Sequence, residues 1–356
     1  MKEWQEAAEE VAAAPGVVVL VGATDTGKTT LAQFLANHCL ARGRRVAVVD
    51  ADVGQSDVGP PGTVGLSLLP SPIGRLSDAP LTAAYFVGSN SPEPLLLEAV
   101  VGARLMVDRA LELGAEVVVV DTTGLVAGLL GRALKHSKIE LIRPDYILAV
   151  ERKREVEHLL RPYLGGERPR VRRLAVPPEV QRKAQPDRRQ TREARFAEYF
   201  QPGRRWEVRL DEVRFVRSLL GSGFPMDPRE VESLARDLEC EVLHAERISE
   251  GVYVVTRGPY THLALEQFRR RAGAGRLVAA EESRFINLLC GLMQPSGEFL
   301  GLGIVEELDF RGGRLRVFSP VPQPPPGPAP RLKVQLGLLR VSPGGQELGR
   351  LEPGEV

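Results

Sequence analysis

GATDTGKTT, at residues 22–30, decides the fold class of this 356-residue chain. The stretch fits the pattern G-x-x-x-x-G-K-[ST], follows the apolar run VVVLV at residues 17–21, and opens a helix-like stretch at residues 31–40. In that setting the glycines let the backbone curl so that successive amides face an anion at a helix N-terminus. The sequence therefore predicts a phosphate-binding loop inside an α/β domain.

The side chains of this loop have predicted roles. Lys28 reaches the β and γ phosphates of a nucleotide, and the Thr29 hydroxyl binds Mg²⁺. A glycine-rich turn that precedes a helix by chance is the alternative, and the strand-loop-helix setting disfavours it. The motif residues predicted to bind the nucleotide are Gly22, Thr26, Gly27, Lys28, Thr29 and Thr30.

Composition excludes several classes of protein. The 47 Lys and Arg nearly balance the 46 Asp and Glu, so no overall charge indicates nucleic acid, although residues 151–205 hold 16 basic and 8 acidic residues. The three cysteines show no CxxC or Cys/His spacing, which disfavours a disulfide framework and a zinc site. No run approaches the ~18 apolar residues of a membrane span, and the N-terminus is too acidic for a signal peptide. We expect a cytoplasmic protein without a membrane partner.

Apolar runs alternate with helical stretches through about residue 150. This alternation predicts a P-loop NTPase core in which helices flank a parallel sheet on both faces. Helices are expected at residues 3–14 and at residues 93–113, where Gly114 ends the second. The predicted strands are at residues 17–21, 45–49, 83–87, 116–120 and 146–150.

A second, β-rich domain is predicted from Trp206 onward, where short β-like runs alternate with Gly and Pro turns. The predicted domains are thus residues 1–205 and 206–356. Residues 319–331, SPVPQPPPGPAPR, are too rich in proline for a sheet interior and are expected to connect strands as an extended segment.

Three acids follow two of the predicted strands. Asp50 and Asp52 share one side of an extended chain. One of them can therefore position Mg²⁺ and its waters, and the other can accept a proton from an attacking hydroxyl. Asp121 ends a very apolar strand, and the predicted metal ligands are Thr29, Asp50 and Asp121. For Asp50, a helix cap or loop acid is the alternative.

Five stretches occur in this order along the chain: GATDTGKTTLAQFLAN, DADVGQSDVGPPGTVGL, YFVGSNSP, DTTGLVAG and RRQTREARFAEYF. Together they resemble the polynucleotide 5′-hydroxyl kinase family. Its members include the RNA kinase of messenger 3′-end cleavage and tRNA splicing and the kinases of pre-ribosomal RNA processing. The similarity covers about residues 15–200 and continues more weakly through FINLLCGLMQPSGEFLGLGIVEELD.

The resemblance implies roles for individual residues. Lys28 and Thr29 match the loop lysine and the metal-binding hydroxyl, and Asp52 matches the general base on the 5′-hydroxyl of the nucleic acid. The other residues implied to surround the nucleotide, the metal and the reacting phosphate are Thr24, Asp25, Gln55 and Thr122.

A lid over the reacting phosphate is expected at about residues 177–200. Arg182 and Arg188 fall where the family has lid arginines, but the spacing requires one extra residue, so Arg189 or Arg192 is the alternative. A guanidinium that arrives on closure stabilises the charge spread over a loose transition state. An ordinary solvated helix face is the competing interpretation of this Arg-rich segment.

The predicted reaction is ATP-dependent, Mg²⁺-requiring phosphorylation of 5′-hydroxyl ends of RNA or DNA. A non-catalytic ATP-binding scaffold and a small-molecule kinase on the same core are the alternatives. Because about 16 residues precede the first strand, we expect a minimal kinase that lacks the N-terminal domain of eukaryotic members; protein partners are not predicted. Terminal bases are expected on an apolar platform, for which the aromatic candidates, each with core packing as its alternative, are Tyr85, Phe86, Tyr199 and Trp206.

Overall fold

Two compact units make up the chain, Met1–Arg192 and Glu193–Val356. The computed structural model describes residues 2–178, 180, 185–260, 276–325 and 327–354. The two units divide within the helix Gln185–Phe200, and the domain boundary that the sequence predicts after residue 205 stays a prediction. A helix that runs without interruption through a division leaves no Gly or Pro signal there.

The first unit alternates helices and strands. Its elements are α1 (Lys2–Ala13), β1 (Val17–Val21), α2 (Lys28–Ala41), β2 (Val46–Ala51), β3 (Thr63–Leu68), β4 (Ala83–Phe86), α3 (Leu96–Glu112), β5 (Val117–Thr122), α4 (Gly128–Ile142), β6 (Tyr146–Glu151), α5 (Glu157–Leu160), β7 (Arg170–Ala175) and the start of α6 (Gln185–Phe200).

These strands form one sheet of order β4-β3-β2-β5-β1-β6-β7 within the described residues. The predicted parallel core is confirmed, because β2, β5, β1, β6 and β7 pair in parallel. At one edge β3 is antiparallel to β2 and β4, which the sequence did not indicate. The connection between β2 and β3, residues 52–62, is shorter than the roughly dozen residues that a parallel crossover needs.

Helices cover both faces of this sheet. Strands β1, β2, β5 and β6 are buried along their whole length, as expected for parallel strands with near-continuous Val runs. Alternate side chains pack against α1 and α2 on one face and against α3, α4 and α5 on the other. Because side chains alternate along a strand, consecutive residues at a strand end face opposite helix layers.

All five predicted strands are present, and two further strands were not predicted. Strand β3 contains Gly65 and Ser67, which weaken an apolar pattern, and β7 contains three arginines and is largely exposed at the sheet edge. Gly114 follows α3 with φ of 81°, a left-handed conformation that glycine adopts without strain, as the sequence predicts.

The second unit is β-rich, as predicted, and also contains a helix. Beyond the end of α6, its elements are β8 (Arg204–Arg209), β9 (Val213–Val216), β10 (Phe224–Pro225), α7 (Pro228–Leu238), β11 (Glu241–Ile248), β12 (Gly251–Arg257), β13 (Arg276–Glu281), β14 (Leu288–Met293), β15 (Phe299–Asp309), β16 (Arg314–Ser319), β17 (Leu332–Val341) and β18 (Glu347–Arg350).

Two sheets organise these strands in the described part of the unit. One has the order β18-β17-β14-β15-β16-β8, with β9 paired to β17, and the other has the order β10-β11-β12-β13. Helix α7 packs its buried Leu234 and Leu238 against the second sheet. Apart from Ser319, which ends β16, the proline-rich stretch lies between β16 and β17 and forms no strand in its described residues, as predicted.

No helix in the described residues is long and apolar enough to cross a membrane. The three cysteines, all described, are free.

Candidate active site

The phosphate loop joins β1 to α2 at the carboxyl edge of the sheet. Gly27 caps α2 with φ of 88°, and Asp25 has φ of 56°, so two residues of the loop adopt left-handed conformations. The Lys28 ammonium and the Thr26 hydroxyl both donate to the carbonyl oxygen of Ala23, at 2.9 and 3.0 Å. These two bonds close the loop on itself and hold the lysine ammonium against the loop backbone.

Two glycines allow the loop to pack closely against neighbouring strands. A Cβ atom on Gly22 would lie 2.5 Å from the carbonyl oxygen of Val150 at the end of β6. A Cβ atom on Gly124, which follows β5, would lie 2.6 Å from the backbone nitrogen of Thr24. Gly22 belongs to the predicted motif. Gly124 has no predicted role, although it stands in the DTTG stretch that the sequence highlights.

Asp121 and Thr29 form the polar pair beneath the loop. The Thr29 hydroxyl donates to Asp121 Oδ2 at 2.6 Å, while Asp121 Oδ1 is buried without a hydrogen-bond partner among the described residues. Burial raises the pKa of Asp121 to about 6, although the Lys28 charge and the Thr29 hydrogen bond act in the opposite direction. A hydroxyl and an unsatisfied carboxylate oxygen are hard oxygen donors, so this pair fits Mg²⁺.

Asp50 has a different environment from the one its sequence position suggests. Its Oδ1 accepts the amide of Asp52 at 3.0 Å, and its Oδ2 accepts the amides of Asp57 and Val58 at 2.5 and 3.0 Å. The carboxylate is 1% exposed, and burial followed by the charge of Asp121 holds its pKa well above its usual range. These bonds favour the loop-acid alternative: Asp50 shapes the turn after β2, and its role as a metal ligand stays a prediction.

Asp52 lies at the tip of that turn and faces an open cleft. It is half-buried, and its Oδ1 accepts the amide of Gly54 at 3.2 Å. Gln55 lies beside it and donates to the carbonyl oxygens of Gly54, at 2.6 Å, and Arg188, at 3.4 Å. The Gly54 amide occupies one oxygen of the Asp52 carboxylate, and the two Gln55 bonds do not involve this carboxylate. Asp52 can therefore accept a proton from a group in the cleft.

The cleft itself has a volume of about 1060 Å³. Its lining combines the tip of the phosphate loop, the turn after β2, the residues that follow β4 and β5, and the first turn of α6. Residues 90–93 supply one wall, and part of that wall belongs to the YFVGSNSP stretch. The lining residues with predicted roles are Thr24, Asp25, Asp52, Gln55, Arg188, Arg189 and Arg192.

Other motif residues do not line this cleft. Lys28 is 6% exposed and is held by Ala23, which is itself a lining residue. Thr30 is exposed on the first turn of α2 and contributes nothing to the lining.

The Thr122 side chain points away from the predicted nucleotide site. Its hydroxyl is fully buried, donates to the carbonyl oxygen of Leu20 at 2.7 Å, and accepts from Lys135 at 2.7 Å. Strand β5 continues through residue 122, so alternation directs Asp121 towards α2 and Thr122 towards α4. Thr123, the next residue, lines the cleft, and the expectation that Thr122 lies near the reacting phosphate stays a prediction.

The arginine-rich segment reaches the cleft through α6. The Arg188 guanidinium bonds to Asp25 Oδ2 at 2.6 Å, and Arg152 donates to the Asp25 carbonyl oxygen at 2.7 Å. The solvated-face alternative is therefore disfavoured for Arg188. Arg182 lies outside the described residues, so its predicted role stays a prediction.

None of the four aromatic candidates lines the cleft. Phe86 is 2% exposed, and Gly102 packs closely against the Tyr85 ring. Tyr199 accepts the Leu302 amide at 2.7 Å, and the Trp206 indole donates to the Val321 carbonyl oxygen at 2.9 Å. Phe86 and Trp206 are buried, Tyr199 lines a different cavity, and a platform for terminal bases stays a prediction.

Two buried lysines on α4 were missed by sequence reasoning. Lys135 and Lys138 are each 1% exposed, and both face the ends of β2 and β5. The available signal was their spacing of three residues, which places both on one face of a helix whose remaining inward positions are apolar. Lysine in an amphipathic helix normally marks the solvent side, which explains the omission.

Comparison with known proteins gives a consistent set of relatives. The model of the family described as mRNA cleavage and polyadenylation factor CLP1 P-loop matches residues 22–202. A polyribonucleotide 5′-hydroxyl-kinase of Thermococcus kodakarensis is 35% identical over 345 residues, which cover 96% of this chain and 93% of that protein. The corresponding kinase of Pyrococcus horikoshii is 32% identical over 342 residues, 95% of this chain and 89% of that protein.

A solved structure shares the fold. In the complex of wild-type Clp1p with Pcf11p, Clp1p superposes with a TM-score of 0.60 at 16% identity, covering 96% of this chain and 79% of that one. Three findings agree: the sequence identity over most of each relative, the family match over residues 22–202, and the shared fold. The chain therefore belongs to the CLP1 P-loop family, and its two relatives named above are polyribonucleotide 5′-hydroxyl-kinases.

Proposed function

We propose that this protein transfers the γ-phosphate of ATP to the 5′-hydroxyl end of RNA. The observation that carries the proposal is the single cleft onto which the phosphate loop, the Asp52 carboxylate and the Arg188 guanidinium all open. Phosphoryl transfer requires these three kinds of group: a cradle for phosphates, an acceptor for the hydroxyl proton, and a cation for the transferring group. The names of the relatives support RNA as the polymer.

The roles of the residues follow from their positions. The Lys28 ammonium exchanges the Ala23 carbonyl oxygen for phosphate oxygens when ATP binds. The 5′-oxygen attacks the γ-phosphorus in line with the bond to ADP; one P–O bond forms and the other breaks. The hydroxyl proton passes to the Asp52 carboxylate, and Arg188 stabilises the charge on the equatorial oxygens. Arg189 and Arg192 remain the alternatives for that last role.

Mg²⁺ is the metal that the Thr29 and Asp121 pair fits, and when bound it would neutralise charge on the β and γ oxygens. A cytoplasmic location belongs to the same proposal and is supported by the three free cysteines, since thiols persist in a reducing compartment.

Transfer from labelled ATP to matched oligonucleotides tests this function. We expect label at the 5′ end of a 5′-hydroxyl oligoribonucleotide, with a 5′-phosphorylated oligonucleotide as the blank and the DNA version as a measure of sugar preference. Binding of ATP without transfer would indicate the scaffold alternative. Label on small hydroxyl compounds but not on oligonucleotides would indicate a small-molecule kinase.

Variants of the proposed base and lysine sharpen the assay. Lys28→Ala and Asp52→Ala should each abolish labelling while the fold is retained. For Asp52 the reason is that general base catalysis alone contributes about 10²–10⁴-fold to the rate. Glu93→Gln is the matched control, because Glu93 is an acid of the same cleft without a proposed role. Full turnover by Asp52→Ala would remove it as the base.

A further inference from the structure

Helix α4 buries two ammonium groups beneath the active-site strands. Lys135 and Lys138 are each 1% exposed, and neither forms an ion pair within 4.0 Å of a carboxylate oxygen of the described residues. Burying a lysine costs several kcal/mol unless hydrogen bonds and opposite charges compensate it. The contacts of these two groups therefore indicate why the chain places them there.

Lys135 fixes the backbone that follows Asp121. Its ammonium donates to the Thr122 hydroxyl at 2.7 Å and to the Thr123 carbonyl oxygen. The Thr122 hydroxyl in turn donates to the Leu20 carbonyl oxygen, which ties the end of β5 to β1 directly before the phosphate loop. The next residue, Gly124, is the one that packs against the loop backbone at Thr24. Lys135 thus holds the segment on which the loop rests.

Lys138 fixes the residue that precedes the proposed base. Its ammonium donates to the carbonyl oxygen of Ala51 at 3.2 Å. Ala51 ends β2, and Asp52 is the next residue along the chain. Because Lys138 is buried on a helix packed against the sheet, it restrains the backbone at the end of β2, next to the base.

The surrounding charges are those of the active site. Burial lowers the pKa of Lys138 to about 8, and the negative charge of Asp52 is the largest influence that opposes this shift. Burial and then the Lys138 charge hold the pKa of Lys135 well below its usual range, and Asp52 and Asp121 oppose that shift. Both lysines therefore lie close enough to the acids Asp52 and Asp121 to interact with them electrostatically.

We propose that Lys135 and Lys138 form a lysine brace, a pair of positioning residues that hold the chain around Asp52 and Asp121 in the geometry for phosphoryl transfer. The proposal rests on the kinase function proposed above. A lysine that only fills space is replaceable by an apolar side chain of similar length, since exchanging buried charge for hydrophobic packing is often neutral or stabilising. A brace is not replaceable in this way.

Methionine substitutions separate these two roles. Lys135→Met and Lys138→Met remove the charge and keep the length, and Arg132→Met removes an exposed cation of the same helix as the matched control. We expect each brace variant to melt within a few degrees of the wild type. Its kcat should fall at least tenfold, with the KM values for ATP and for the oligoribonucleotide within twofold of the wild type. The control should keep the wild-type kcat.

Amide hydrogen exchange provides a measure that needs no catalysis. In the brace variants, peptides that cover residues 52–58 and 122–126 should exchange at least tenfold faster, while peptides from the second unit should not change. Should either methionine variant fail to fold, Thr122→Val removes the hydroxyl acceptor of Lys135 with little change of shape and should show the same faster exchange at residues 122–126. Folded variants with a kcat within twofold and unchanged exchange would overturn the brace.

Activity of the wild-type enzyme distinguishes a failure of the brace from a failure of the proposed kinase function. If wild-type protein transfers no phosphate, the kinase proposal fails, and exchange alone then decides whether the lysines restrain these segments. If the wild type is active and the brace variants match it, only the brace fails.

Discussion

Gly124→Ala is the sharpest test of how the phosphate loop is held. Gly124 does not have a left-handed φ, so an alanine there is limited only by space. The added Cβ would lie 2.2 Å from the Thr24 hydroxyl oxygen and 2.6 Å from the Thr24 Cα and backbone nitrogen. The hydroxyl can rotate away, but the backbone cannot. The loop must therefore retreat from the strand end.

The size of the effect follows from these distances. Carbon atoms reach their optimal separation at about 3.5–4.0 Å, so the loop backbone must move by about 1 Å. Overpacking of this kind costs ~1–3 kcal/mol, which corresponds to roughly 2–12 °C of melting temperature for a domain of this size. A displacement of about 1 Å at a catalytic site costs on the order of 10²-fold in rate. Weaker ATP binding and a lower kcat should therefore accompany a modest loss of stability.

The assay compares kcat, the KM for ATP and the melting temperature of Gly124→Ala with those of Gly166→Ala. Gly166 is an exposed glycine of the same unit, and the nearest atom to its added Cβ would be the Arg168 carbonyl oxygen at 3.6 Å, an ordinary contact. We expect the control to keep wild-type kinetics. A folded Gly124→Ala enzyme with a kcat and a KM within threefold of the wild type would refute the close approach of Gly124 to the loop.

Two further predictions concern charge. Burial raises the pKa of Asp121 from 3.8 to about 6, so stability should fall as pH rises through that window, because the folded protein keeps a proton that the unfolded chain loses. In Mg²⁺-free buffer, the free energy of unfolding of Asp121→Asn should therefore exceed that of the wild type by roughly 3 kcal/mol at pH 8 but not at pH 3. Urea unfolding measures both free energies, and a difference that is the same at the two pH values would contradict this prediction. Arg188→Ala should lower kcat by about 10³-fold, and a larger loss in Arg189→Ala would move the catalytic role to Arg189.

Local spacing made much of the site predictable. The phosphate loop is a contiguous motif, and the strand and helix on either side of it are determined by apolar runs that the sequence shows directly. The contact of Thr29 with Asp121, 92 positions apart, could be expected because parallel strands end at one edge of a sheet. Asp52 could be placed at the cleft for the same reason.

Contacts that depend on the path of a loop were not predictable. Asp50 is bound by amides of Asp57 and Val58, and nothing in the spacing shows that the chain returns over β2 at those residues. The buried hydroxyl of Thr122 was not expected, because the predicted strand stopped at residue 120, whereas β5 continues to residue 122 and turns this side chain into the core. The buried lysines contradict the usual polarity of a helix face, so only the structure identifies them.

The charges at the strand ends explain why such lysines are useful here. A triphosphate brings further negative charge to a site that already holds several acids, and like charges in a region of low dielectric repel strongly. Lysines on the cleft side would pair with the phosphates and would then no longer offset the acids. Lys135 and Lys138 are instead held by oxygens at the ends of β5 and β2, so Lys28 is left to turn to the phosphates. Lys138, whose pKa burial lowers to about 8, can offset the acids Asp50 and Asp52, whereas burial holds the pKa of Lys135 well below its usual range, so that its hydrogen bonds matter more than its charge.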